Sequence, residues 1–166
     1  YDDMGTFKAA STQSVPPTYQ FPRYFADLLG TEAANPQRWV RSFITSPDTY
    51  GLWLTSYGSA LTVLDGLRTP SITDALHHFV LPVIQSGGGR NTQWILVNPN
   101  LAEAHVTLQL IGANGSIRGT HALLLNGRGR AVIDAPVLFP GVAEDDYLVV
   151  DADRPLVGSE LFGDDQ

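Results

Sequence analysis

Cysteine is absent from the 166 residues, and charge is sparse. Without a thiol there is neither a disulfide framework nor a thiolate metal site. That absence is neutral on compartment, since cytosolic and many bacterial secreted proteins alike lack cysteine. Charged residues make up 16% of the chain, well below the ~25% of ordinary soluble proteins. Lysine occurs once, at Lys8, and the arginines are scattered singly apart from Arg128 and Arg130. With a net charge of −7 there is no basic surface to release counterions from phosphates, which argues against a nucleic-acid partner. No apolar run approaches the roughly 20 residues of a membrane-spanning helix. No signal peptide is visible, and a chain that starts at Tyr1 rather than Met is expected to be a processed protein or a fragment.

What is present favours strands. The chain is 43% hydrophobic, enough for a real core, and its 16 Gly and 11 Pro are dispersed as in a protein of many short strands and turns. The clearest stretch is Asn91–Gly115. Gln93–Val97 alternates polar and bulky apolar residues until Asn98-Pro99-Asn100 stops it. Val106, Leu108 and Leu110 then point one way and Thr107 and Gln109 the other, the period of a half-buried strand. Asn114-Gly115 offers two residues tolerant of positive φ, which predicts a tight hairpin, with Ser116–Leu125 as its return strand.

Elsewhere the pattern predicts a polar arm over 1–20 and a helix near Tyr24–Leu29, opened by Pro22 and stopped by Gly30. Strands follow at 38–44, 50–54 and 61–64, with turns between them. Residues 67–75 look like a linker. Phe79–Ile84 carries Pro82 and so belongs at an edge or strand end, because proline cannot donate to a ladder. Gly87-Gly88-Gly89 lacks the Lys and Ser/Thr of a phosphate loop and reads as a loop. Asn126–Arg130 is a solvated turn, Ala131–Ile133 a short strand, and Asp134 a cap for a helix over 135–139. Tyr147–Val150 and Leu156–Gly163 are separate strands joined by a turn at Asp153-Arg154-Pro155.

The pattern points to a half-module that recurs. Gly5-Thr6-Phe7-Lys8 corresponds to Gly115-Ser116-Ile117-Arg118 at an offset of 110 (115 − 5). A short apolar helix then ends at Gly30 in one copy and Gly141 in the other. Trp39-Val40 matches Tyr147-Leu148, and Gly51 matches Gly158. The expected organisation is a partial module over 1–65 and a complete one over 66–166. A half-module exposes apolar surface and strand edges, so it needs adjacent repeats of a longer chain, another copy that donates strands, or one merged sheet.

The runs TQWILVNPNLAEAHVTLQLIGANGS, DAPVLFPG and DRPLVGSELFG resemble the tandem β-sandwich, immunoglobulin-like repeats of large secreted bacterial surface proteins. The resemblance covers about 100 residues, from Gly66 to Gly163, with a weaker echo in 1–58. It implies an extracellular stalk or fibre role and carries over no catalytic residue.

Candidates for chemistry are few. His77 and His78 are adjacent, so on a strand they face opposite ways and do not share a metal. His105 and His121 are expected to meet as a cross-strand pair. No GxSxG nucleophile elbow occurs, and Gly158-Ser159-Glu160-Leu161 lacks its second glycine. Glu144, Asp145 and Asp146 offer one side of a weak Ca²⁺ site, with a solvated loop as the plainer reading. Tyr24, Trp39, Tyr50, Trp53 and Tyr57 can stack sugars on an exposed face, or pack against a neighbouring subunit; the needs of the half-module favour the neighbour.

The sequence therefore predicts an all-β protein, an antiparallel sandwich with one or two short capping helices. Its expected role is a non-enzymatic, extracellular structural subunit without a cofactor, assembled with other copies of itself or adjacent repeats. The alternatives are an adhesin-like or glycan-binding module and an accessory domain of a secreted enzyme.

Overall fold

The computed structural model describes residues 1–16, 24–34, 39–43, 52–57, 63–68, 72–85 and 90–164. Tyr50, Pro22, the turn at 46–48 and Gly87-Gly88-Gly89 lie outside them. The elements are α1 (Phe25–Leu29), β1 (Leu52–Tyr57), β2 (Val63–Arg68), β3 (Leu76–Leu81), β4 (Arg90–Val97), β5 (Ala104–Ile111), β6 (Ile117–Leu125), β7 (Arg130–Asp134), α2 (Ala135–Leu138) and β8 (Tyr147–Asp164). All strand pairs are antiparallel. β1 and β2 form a hairpin, and β2 runs across the 65/66 boundary. The other strands make one curled sheet, a half-barrel ordered β6-β5-β8-β4-β7, with β3 also paired to β8.

The strand on which this sheet turns is β8. Its first part, Tyr147–Ala152, pairs with β5, and residues 148–151 are flanked on the other edge by β3. Its second part, Val157–Asp164, pairs with β4. The turn expected at Asp153-Arg154-Pro155 does not form. The chain stays extended there, and Pro155 falls in the gap between the two ladders, where a missing N–H leaves no bond unmade. The side chains of this gap tie it to the β4–β5 loop: Asp153 accepts from the His105 N–H at 2.8 Å, and Arg154 Nε donates to Glu103 O at 2.9 Å.

The alternation read in β4 and β5 is the one observed. Thr92, Trp94 and Leu96 are buried, as are Val106, Leu108 and Leu110. Leu148, Val150 and Leu156 of β8 close the core against them, and α2 with its following residues contributes Phe139 and Val142. The Phe139 ring meets Trp94 edge-on at 6.1 Å between centroids. Two glycines admit aromatic rings: a Cβ on Gly158 would lie 2.3 Å from the Phe79 ring, and one on Gly119 2.7 Å from Phe139. β3 stops before Pro82, as an edge strand should.

Several local expectations are corrected. The β5–β6 connection is wider than a two-residue hairpin. Gly115 alone takes positive φ, at 79°, Gly112 N–H donates to Ser116 O at 2.9 Å, and a bulge at Leu110/Ile111 absorbs the extra residue. In the resulting register Leu108 faces His121 and His105 faces Leu124, which puts the two histidines on opposite faces of the sheet. Asp134 makes no side-chain cap to α2; it accepts instead from Gln93 Nε2 across the strand pair at 2.7 Å.

Candidate functional site

Among the described residues a dense polar constellation lies at the end of the half-barrel where β4 leads into β5 and β6 into β7. Asn98, fully buried, is its centre. Its Nδ2 reaches the carbonyls of Ala102, Leu125 and Asn126 at 2.9–3.1 Å, and its Oδ1 accepts from the backbone and side-chain amides of Asn100. Asn100 Nδ2 in turn donates to Pro155 O at 2.9 Å. A carbonyl turned inward at a loop is shielded from water, and such a donor satisfies it. The asparagine that ends β4 therefore locks three connections together.

Onto this platform the N-terminal arm docks through the Asn126–Arg130 turn. Arg130 N–H donates to Asp3 O at 2.9 Å, and its Nε to Asp3 Oδ1 at 2.7 Å. Arg128, at a positive φ of 58°, donates to the Tyr1 hydroxyl at 2.9 Å and holds its guanidinium 5.1 Å from that ring's centre. Trp39 stacks on Tyr1 at 5.3 Å and donates its indole N–H to Arg128 O at 2.9 Å. The glycines make the approach possible. A Cβ on Gly5 would lie 2.0 Å from Gly127 O, and one on Gly127 1.9 Å from Leu101 O.

The arm itself carries a familiar geometry. Gly5 N–H donates to Asp2 O and Asp2 N–H to Thr6 O, at 2.9 and 3.0 Å. Gly115 N–H donates to Gly112 O, and Gly112 N–H to Ser116 O, at 2.8 and 2.9 Å. The two glycines have φ of 83° and 79°. Tyr1 and Trp39 exchange both backbone hydrogen bonds, at 3.1 and 3.0 Å, and stand where Ile111 and Tyr147 pair at the head of β8. Gly30 and Gly141, each following a short helix, are the remaining positive-φ glycines among the described residues.

Of the aromatics singled out in the sequence, Trp39 is found at this site, with one face covered by Tyr1 and its N–H engaged. Tyr24 is 82% exposed at the head of α1 and takes no part. Trp53 and Tyr57 occupy register positions opposite Leu67 and Val63. The residues missed were Tyr1, Asp3, Asn98, Arg128 and Arg130. The signal for them was Gly127 and Gly129 alternating with arginine, since glycine two apart in a turn marks backbone approached from both sides.

The acidic run is not arranged as a cation site. Asp146 is buried and its carboxylate bonds Arg118, with Ala143 N–H as a second donor at 2.8 Å. Burial by itself pushes this carboxyl up, but the Arg118 hydrogen bond, the Ala143 N–H and the Arg118 charge together hold it below the usual carboxylate range. Burial pushes Glu160 up, opposed by its bond from Val83 N–H at 3.2 Å. Among the described residues no three His, Asp or Glu side chains group as metal ligands, and no helix is long and apolar enough to cross a membrane. His78 pairs with Asp151 at 2.6 Å, while His77 bonds Ala152 O.

No protein-family model and no curated protein matches the chain. Among solved structures, the Anabaena sensory rhodopsin transducer overlaps 56% of this chain and all of its own, at 15% identity and a TM-score of 0.44. A likeness of that size carries nothing about function.

Proposed function

We propose that this chain is a non-enzymatic structural protein of a secreted bacterial surface array, built from β modules packed end to end. In this reading the half-barrel is one module of the immunoglobulin-like sandwich kind, and residues 1–43 belong to the module before it. The observation that carries it is the recurrence of one turn and one strand-head pair. Asp2–Thr6 has the turn bonding of Gly112–Ser116, and Tyr1/Trp39 stands as a pair where Ile111/Tyr147 does. The first set sits on the opposite end of the module that contains the second. Hydrogen bonds, stacking and glycine-permitted backbone contact serve packing, and none of them presents a nucleophile or an acid–base pair to a cavity.

Surface location is tested by cysteine labelling, for which a chain without cysteine is suited. Ala122→Cys places one thiol at an exposed position within β6, away from both ends of the module. Intact source cells should take up a membrane-impermeant maleimide at this position. Labelling that requires lysis overturns the reading.

A further inference from the structure

We propose that the Gly112–Ser116 turn, together with Tyr147, is a docking end for the Asn98–Asn100 and Asn126–Arg130 end of a second copy of this chain whose own arm has left it. The inference rests on the array reading and names the contact that would build the array.

The two ends are opposite poles of one module, separated by the eight residues of β5, roughly 25 Å. One kind of contact between them exists within the chain: the turn Asp2–Thr6 with Trp39 lies on Asn126–Arg130. The backbone part of that contact is available again at the far pole. Asp3 O, which accepts from Arg130 N–H, has its counterpart in the carbonyl of exposed Ala113. Trp39, which donates to Arg128 O, has its counterpart in Tyr147, whose hydroxyl is also a donor. A contact that joins unlike ends does not close on itself as a two-fold dimer does; repeated, it gives a line of subunits.

The side-chain part is weaker at the far pole. Ala113 stands where Asp3 meets Arg130, and Ile111 where Tyr1 meets Arg128. The arm therefore competes with a second copy for its own platform, and the unaltered chain should assemble more weakly than one whose platform is vacant. Vacating the platform uncovers the assembly.

The experiment is sedimentation velocity of the full chain over a concentration series. Asp3→Ala with Gly5→Val expels the arm, because a side chain at Gly5 collides with Gly127 O. This variant should form oligomers that grow with concentration, at least doubling the weight-average mass. Excess unaltered chain should shorten them, since it fills an open platform and offers none. Adding Ala113→Asp, which restores a carboxylate opposite Arg130, should move assembly to at least about tenfold lower concentration. Adding Ala113→Arg should abolish it. Trp39→Ala is a second way to loosen the arm that leaves the β3–β8 and β4–β8 ladders untouched, and it should behave alike.

A folded variant that releases its arm to protease yet stays monomeric overturns the proposal, as does assembly indifferent to Ala113→Arg. Either result leaves the surface-labelling outcome standing, and labelling only after lysis would leave this one standing.

Discussion

Arg118, near the start of β6, closes its guanidinium on the carboxylate of Asp146, one residue before β8 begins, and its other nitrogen donates to Gly141 O at 2.8 Å. The pair joins the α2–β8 loop to the β5–β6 hairpin. Asp146→Asn should cost about 2 kcal/mol at neutral pH, the scale of a hydrogen bond to a charged group. Because the folded carboxyl lies below its ordinary value, the pair's contribution is complete above an unfolded pKa of ~3.9 and is lost as pH falls through the lower folded value. Urea titrations should show the gap between the parent and Asp146→Asn narrowing below about pH 4; a gap constant to pH 2 would refute the assignment.

Asn98 offers the most sensitive single position. Asn98→Ala removes the side-chain donor from the carbonyls of Ala102, Leu125 and Asn126, the last of which keeps the Gly129 N–H, and should destabilise by about 3 kcal/mol. Asn98→Asp keeps the shape but turns a carboxylate toward three carbonyl oxygens, so it should be at least as damaging. Equal stability of Asn98→Asp and the parent in thermal unfolding would contradict this.

Gly158→Ala should cost about 2 kcal/mol through collision with the Phe79 ring. Phe79→Leu removes the far edge of that ring, so the double variant should be less damaged than the sum of the singles. Additivity in a denaturant-based double-mutant cycle would place the strain elsewhere.

Asp2 organises the arm's turn. Its carboxyl is lowered to about 2, first by the Lys8 hydrogen bond and next by the Thr6 N–H. The turn's support is complete above an unfolded carboxylate pKa of ~3.9 and disappears as pH falls through about 2. NMR titration should find the Asp2 midpoint there, and Lys8→Met should move it upward. An unmoved midpoint would mean that the 2.9 Å contact between Lys8 and Asp2 has no electrostatic consequence.

Local chemistry by itself determined strands β4 to β7 and the buried face of β5, whereas the strand expected over 38–44 does not form at the described residues 39–43. Alternation of period two in Val106–Leu110 names the buried side chains directly, because neighbouring residues on a strand must face opposite ways. Trp94–Val97, by contrast, is apolar throughout, and the fold selects Trp94 and Leu96 for the core. Proline at 82 and glycine at 115 marked a strand end and a turn for equally local reasons. Tertiary structure decided what composition leaves degenerate. Asp153-Arg154-Pro155 has the residues of a turn, yet two neighbouring ladders hold it extended as the crossing point of an 18-residue strand. His105 lies nine residues before Asn114 (114 − 105) and His121 six after Gly115 (121 − 115), so the register pairs them with Leu124 and Leu108 and places them on opposite faces. Asp134 found Gln93 rather than a helix terminus. Most of all, Asn126–Arg130 looked like a solvated turn and serves as a platform, because its partners Tyr1 and Asp3 lie more than a hundred residues away and meet it only once the sheet has curled.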